Sequence, residues 1–95
     1  MSEAFTNKTF LFELVSPESI LFSADVTMVE VLGEAGYFGV LAGHAPILSS
    51  VRAGIVTVHL PSGEIKEIFV NGGFADANAK ICTVLAEEAI DVDSA

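Results

Sequence analysis

The alternation of apolar and polar residues with a period of two constrains the fold of this chain more than any other feature of its sequence. Such alternation is typical of strands, whose side chains point in turn to opposite faces. Turn signals recur at intervals of about eight to twelve residues, and no long helical stripe is present. We therefore predict an all-β fold, a small antiparallel β-sandwich of about ten short strands. Phe10, Phe12 and Leu14 fall on one face of a predicted strand, and Val56, Val58 and Leu60 are expected to face inward.

Turn residues divide the second half of the chain into predicted hairpins. Pro61-Ser62-Gly63 is expected to join the strand at 55–60 to an antiparallel strand at 65–70. Asn71-Gly72-Gly73 is predicted to be the next turn, because glycine and asparagine tolerate positive φ angles. A further hairpin is expected around Asn78-Ala79. The register of the first hairpin predicts one buried face made of Val56, Val58, Leu60, Ile68 and Val70.

Charge and length limit the classes of partner. The chain has 95 residues, with 4 basic and 13 acidic ones, so its formal net charge is −9. This length supports one domain, and we divide the chain into an N-terminal arm (1–8), the sandwich (9–87) and an acidic tail (88–95). An acidic chain excludes nucleic-acid binding by phosphate neutralisation and argues against direct binding to anionic lipids. A protein partner or a cation remains open.

Neither a membrane span nor a leader is visible in the sequence. The apolar runs are interrupted well before the roughly 20 residues that a membrane helix needs. The N-terminus shows no basic region followed by an apolar stretch. The single cysteine, Cys82, excludes an internal disulfide and fits a reducing compartment. We therefore expect a soluble domain of cytoplasmic type.

The residues that could carry chemistry do not form a catalytic or metal-binding pattern. His44, His59 and Cys82 are far apart and follow no metal-ligand spacing. Glu64 and Glu67 differ in strand parity, so they do not make an acid–base pair. The sequence therefore predicts no catalytic residue, no metal and no cofactor.

One segment combines three glycines, a histidine and a proline with large apolar residues. It reads Gly-Tyr-Phe-Gly-Val-Leu-Ala-Gly-His-Ala-Pro over residues 36–46. This segment resembles the signature of the N-terminal β-sandwich domain of the epsilon subunit of F-type ATP synthases, the counterpart of the mitochondrial delta subunit. Residues 12–18, 20–23, 70–74 and 82–87 are also similar to segments of that family. The resemblance extends from about residue 9 to residue 91.

The resemblance implies a non-catalytic rotor subunit in the central stalk of a proton-translocating ATP synthase. Such a subunit binds the gamma subunit and rests on the loops of the c-ring, as a peripheral component at the cytoplasmic face of the bacterial inner membrane. Many members continue into a two-helix C-terminal domain, of which this sequence shows no helical stripe. A free-standing β-sandwich module that binds a small ligand or a cation is the alternative, and an enzyme is a third possibility.

The resemblance also implies roles for particular residues. Those expected to touch the c-ring loops together, at one end of the sandwich, are Glu34, Tyr37 and His44. Those expected to lie near gamma are Ser16 and Ser49. The residues expected to shape the loop are Gly36, Gly39, Gly43 and Pro46. The glycines would hold Tyr37 outward and let the chain bend, while the proline fixes the direction of return. A role of His44 in capping local backbone groups stays open.

Overall fold

A computed structural model describes residues 8–43 and 45–92. These residues form eight strands and no α-helix, which confirms the prediction of an all-β fold. The strands are β1 (Phe10–Val15), β2 (Ile20–Val26), β3 (Met28–Gly33), β4 (Gly36–Leu41), β5 (Ile47–His59), β6 (Ile65–Ala77), β7 (Ile81–Ala86) and β8 (Ala89–Asp91).

The sheet folds over itself into two layers. Its two longest strands, β5 and β6, each run through both layers. The strand order is β2-β1-β7-β6-β5-β3-β4, and β8 pairs with β6. The first layer contains β2, β1 and β7 beside the second half of β6 and the first half of β5. The second layer contains β8, the first half of β6, the second half of β5, β3 and β4. The described part of the chain thus has eight strands rather than about ten.

The inward faces of the two layers meet in one hydrophobic core. Val56 lies directly opposite Ile68 in the β5–β6 pair, and Val58 is completely buried. The predicted register of this hairpin is thus confirmed, with Leu60 half-buried beside the core. The largest fully buried side chains are Phe12, Leu14, Val26, Val29, Val31, Val40, Val56, Val58, Val70, Cys82 and Val84.

The prediction of a turn at residues 71–73 is wrong. These residues lie inside β6, where the strand bends from one layer to the other and its inward face changes from even to odd positions. Gly72 has a φ angle of +90° and Gly73 one of +154°. A Cβ atom on Gly73 would collide with the backbone carbonyl oxygen of Leu85. The glycines are needed for this bend, so the same conformational freedom that favours turns serves a continuous strand here.

Two further pairings differ from the prediction. β1 runs parallel to β7, with Leu11 beside Ile81 and Val15 beside Leu85, so the sandwich is not purely antiparallel. The expected acidic tail contributes β8, which pairs with β6 through Ala89, and the sheet thus continues beyond residue 87. The hairpin around residues 78–79 is present, because Ala77 of β6 pairs with Cys82 of β7.

Candidate interaction surfaces

The β3–β4 hairpin brings Glu34 and Tyr37 together. Gly33 pairs with Gly36, so that Glu34 and Ala35 form a two-residue turn between the strands. Gly36 has a φ angle of +127°, which residues other than glycine rarely adopt. Glu34 is exposed in the turn, and Tyr37 is 60% exposed on the outward face of β4. The hairpin therefore exposes a carboxylate in its turn and an aromatic ring with a polar tip on the adjoining strand.

The loop expected to carry His44 begins at the other end of β4. Gly43 lies two residues beyond the end of that strand, whereas Tyr37 is its second residue. The Gly43 amide, with φ at +80°, donates a hydrogen bond of 3.1 Å to the carbonyl oxygen of Ala79 in the β6–β7 turn. The exposed Pro46 directly precedes β5. His44 itself lies outside the described residues, so its contacts stay a prediction.

Gly39 does not take the place expected for it. It lies within β4, opposite Glu30 of β3, rather than in a turn. Its φ angle is not positive, and a Cβ atom there would be 3.5 Å from the Cε atom of Met28, an ordinary van der Waals contact. Local backbone geometry therefore gives no reason for a glycine at this position.

Ser16 and Ser49 occupy different environments. The Ser16 hydroxyl accepts hydrogen bonds from the amides of Glu18 (3.3 Å) and Ser19 (3.2 Å), and so holds the turn between β1 and β2. Ser49 pairs with the buried Ala75, so its half-buried side chain is on the inward side of β5. Its hydroxyl donates to the carbonyl oxygen of Ser50 at 2.9 Å. The outward positions next to Ser49 are those of Leu48 and Ser50.

A surface that the sequence did not reveal covers the outside of the first layer, and we call it the first-layer face. One of its cross-strand rows is Ser50, Phe74, Leu85 and Val15. The next row is Leu48, Asp76, Thr83 and Glu13. Leu48 is 69% exposed, and Phe74 and Leu85 are each more than 40% exposed. The only feature of the sequence that points to this face is that apolar residues occupy both the odd and the even positions of these strands.

The first-layer face contains a shallow cavity of about 350 Å³. It is lined by Val15, Leu48, Phe74, Asp76, Thr83 and Leu85. Five of these residues offer carbon surface, and Asp76 places one carboxylate at the edge. Exposed apolar patches of this kind on a small domain mark binding surfaces. The cavity suits an apolar side chain of a partner protein better than a small charged ligand.

Two titratable sites among the described residues have surroundings that can be stated, one at Cys82 and one at His59. Burial, with Asp76 nearby, raises the pKa of the Cys82 thiol from 9.0 to about 11, so the thiol is neutral and unreactive at physiological pH. Nε2 of His59 lies 3.5 Å from Oε2 of Glu30, and both side chains are on the outside of the second layer. Within residues 8–43 and 45–92, no group of three or more His, Cys, Asp and Glu residues is arranged to hold a metal ion.

The same described residues contain no helix that is long and apolar enough to cross a membrane. What they offer instead is a rigid two-layer scaffold with exposed apolar side chains and acidic groups. The fold and these surfaces define a class of small β-sandwich domains with candidate protein-binding faces.

Comparison with protein families identifies the domain. The family model described as the β-sandwich domain of the ATP synthase delta/epsilon chain matches residues 9–92. The chain therefore belongs to this family, which confirms both the resemblance drawn from residues 36–46 and the predicted sandwich.

Individual relatives support this assignment. The chain is 49% identical over 86 residues to proteins named ATP synthase epsilon chain from Brucella canis and Brucella suis. The alignments cover 90% of this chain and 64% of each relative. The chain thus spans slightly less than two thirds of the length of these proteins.

Solved structures show the same fold. A chain in a structure of the Euglena gracilis mitochondrial ATP synthase, comprising OSCP, F1 and the c-ring, is similar with a TM-score of 0.85 and 22% identity. That match covers 92% of this chain and 56% of the other. A chain of the central stalk and c-ring of the Tetrahymena thermophila mitochondrial ATP synthase has a TM-score of 0.72 and 13% identity, covering 88% and 67% of the two chains.

Proposed function

We propose that this chain is a non-catalytic rotor subunit of a proton-translocating ATP synthase. In this role it binds the gamma subunit through the first-layer face and the c-ring through the β3–β4 hairpin. It works at the cytoplasmic face of the bacterial inner membrane, held there by the complex. The observation that carries the proposal is the exposed apolar first-layer face on a domain of the delta/epsilon family. The names of the Brucella relatives and the central-stalk origin of the Tetrahymena chain support it.

The first-layer face has the composition of an interface core. Leu48, Phe74 and Leu85 supply apolar area around a cavity that one large side chain of gamma can fill. Ser16 follows Val15 at the border of this face, and Ser49 lies between its outward residues, so both serines expected near gamma are next to it. Asp76 and Glu13 favour basic residues on gamma through charge complementarity.

The hairpin is the better candidate for the ring contact. Glu34 is exposed in the turn of this hairpin, and Tyr37 is exposed on the outward face of β4, in the second layer. Tyrosine brings a large apolar area together with a hydroxyl, a combination that suits the polar loops of a membrane ring. We keep His44 as a separate predicted ring contact, because the neighbouring Gly43 lies at the other end of β4 from Tyr37; Gly43 and Pro46 shape its loop.

The test measures binding of purified gamma to the full chain. Leu48→Ser and Leu85→Ser are expected to weaken the complex at least about tenfold each, because each removes apolar area from the centre of the contact. Ile65→Ser is the matched control, since Ile65 is also about half exposed but lies on the second layer. Cysteines at positions 16 and 50 are expected to cross-link to gamma, and one at 49 less readily, because that side chain faces inward.

Two outcomes would contradict the proposal. If the chain forms no complex with gamma, it is a free-standing module instead. If gamma binds but only the Ile65→Ser variant loses affinity, the subunit assignment stands and the contact face has been misplaced. Circular dichroism of each variant separates lost contacts from lost folding.

A further inference from the structure

The strand β2 lies at an edge of the sheet and is open on one side. Residue 20 and residues 22–26 pair with β1, and no other strand in the described part of the chain pairs with β2. Its sequence, Ile-Leu-Phe-Ser-Ala-Asp-Val, contains no lysine, arginine or proline. Lysine and proline are residues with which proteins commonly protect an edge strand. The outer edge of β2 therefore offers backbone N–H and C=O groups to an additional strand.

A groove runs beside this edge, between β2 of the first layer and β6 and β8 of the second, and we call it the seam groove. Its deeper part is a cavity of about 100 Å³, lined by Leu14, Leu21, Phe22, Lys66, Ile68 and Ala89. The register of β1 with β2 shifts next to Leu21, whose side chain is 44% exposed and lines the groove. The deeper part has room for one aliphatic side chain.

The seam groove widens beside the turn between β1 and β2. This wider part, of about 510 Å³, is lined by Ser16, Glu18, Ser19, Leu21, Glu87, Glu88, Ala89 and Ile90. It is continuous with the deeper part, because Leu21 and Ala89 line both. The three glutamates are exposed, and none of the described residues that line this part is basic. The wide end of the groove therefore favours a basic side chain.

The edge, the apolar cavity and the carboxylates together select among the possible occupants. Pairing of β2 with the β2 strand of a second copy is opposed by the net charge of −9 on each chain. The described residues contain no group of carboxylates arranged to hold a metal ion. An extended peptide segment with apolar side chains and a basic residue matches all three features. The positive charge of Lys66, whose Nζ atom is 5.8 Å from the centre of the Phe22 ring, restricts the basic residue to the wide end.

We propose that the outer edge of β2 and the seam groove bind an extended, basic segment of another protein. The segment adds a strand beside β2, and its backbone N–H and C=O groups bond with those of residues 22–26. One aliphatic side chain enters the deeper part of the groove, and an arginine or lysine reaches the carboxylates at the wide end. Five residues of a strand span about 17 Å, so a segment of about five to seven residues covers this part of β2. The proposal goes beyond the rotor role and does not depend on where gamma binds.

The probe is a capped synthetic peptide of about seven residues, an arginine followed by alternating threonine and valine. Hydrogen exchange of the backbone amides of the full chain is measured by NMR with and without the peptide, together with the affinity. We expect the exchange of edge amides between Phe22 and Val26 to slow at least about tenfold at saturation, because they gain hydrogen bonds to the added strand. The same peptide with a central proline should bind at least about tenfold more weakly, because proline removes a backbone donor.

Substitutions in the groove test the side-chain contacts. Leu21→Lys should reduce the affinity for the peptide at least about tenfold, because it removes an apolar wall and adds a positive charge beside the edge. Leu48→Lys is the matched control, since it adds the same charge at a residue that is 69% exposed on the first-layer face. It should leave the affinity unchanged within about twofold.

Electrostatics gives a separate readout. Glu87→Gln with Glu88→Gln should weaken binding of the arginine peptide about three- to tenfold. The same double variant should weaken binding of a peptide with glutamine in place of arginine by less than about twofold, because that peptide has no charge to pair. Both glutamates are exposed, so this pair of substitutions covers the case in which the Leu21→Lys variant fails to fold.

Several results would overturn the proposal. Equal binding of the proline peptide would show that no strand is added to the edge. Slowed exchange confined to strands other than β2, or a loss of affinity only in the Leu48→Lys variant, would place the peptide elsewhere on the sandwich. Displacement of the peptide by purified gamma, together with loss of gamma binding in the Leu21→Lys variant, would assign the seam groove to the gamma contact instead of a further partner.

Discussion

At the residue scale, Gly73 is the glycine at which an added Cβ atom would meet the closest neighbour, the backbone carbonyl oxygen of Leu85. Gly73→Ala would press a methyl group against the backbone carbonyl oxygen of Leu85 and impose a φ angle of +154° on a residue with a side chain. We expect a loss of about 3 kcal/mol or more in the free energy of unfolding, measured in urea. Gly39→Ala is the control, expected to change it by no more than about 0.5 kcal/mol because the added carbon meets only Met28. Equal stability of the two variants would contradict the bend at Gly73.

Cys82 makes stability depend on pH in the alkaline range. Its thiol has a pKa raised by burial from 9.0 to about 11 in the folded chain. Above about pH 9 the unfolded chain releases this proton first, so stability falls as the pH rises from 9 towards 11 and the effect levels off above that. The loss is at most about 3 kcal/mol. Unfolding of Cys82→Ala should lack this component, and identical pH profiles for parent and variant would show that the buried thiol does not contribute.

At the element scale, the β5–β6 hairpin is the element whose strands, turn and register the sequence predicted best. Val58 is fully buried and pairs with Val29 of β3, so Val58→Ala should reduce the free energy of unfolding by about 2 kcal/mol. Thr57→Ala, on the outward side of the same strand, should cost less than about 1 kcal/mol. Chemical denaturation of both variants measures the difference, and a larger cost at Thr57 would mean that the inward and outward faces have been exchanged.

The parts of the fold that depend on local signals were the predictable ones. The turn at 61–63 and the alternation on either side of it fix the hairpin register without any distant contact. The bend at 71–73 was misread because glycines with positive φ occur in turns and in sharply bent strands alike. The parallel pairing of β1 with β7 brings Leu11 to Ile81 across most of the chain, and no local pattern encodes such a contact.

At the scale of the whole molecule, the candidate surfaces were only partly predictable. Glu34 and Tyr37 were found through the resemblance, and their closeness follows from a two-residue turn. The first-layer face could not be inferred, because it is assembled from four strands whose order is set by long-range pairing. Phe74 and Leu85, for example, become neighbours only through the β6–β7 register.

The two proposed contacts lie on different layers, so single substitutions should separate them. Tyr37→Ala is expected to leave gamma binding unchanged and to weaken attachment of the gamma complex to c-ring membranes about tenfold, because it removes the largest exposed side chain of the hairpin. Tyr37→Phe should retain most of the attachment, since the apolar area remains. Co-sedimentation with the membranes measures the attachment of the complex. ATP-driven proton pumping measures the functional consequence of that attachment.

The predicted role of His44 can be judged in the same assay. His44→Ala should reduce ring attachment as Tyr37→Ala does if the imidazole contacts the ring, and should lower the thermal stability of the free chain instead if it only caps backbone groups. Ile65→Ala is the control for the Tyr37 variant, because Ile65 is 51% exposed on the same layer but lies at the opposite end of the strands from the β3–β4 turn. Normal attachment and pumping by both the Tyr37 and His44 variants would mean that the ring binds elsewhere on the sandwich. A loss in the control as well would extend the ring contact over the outside of the second layer.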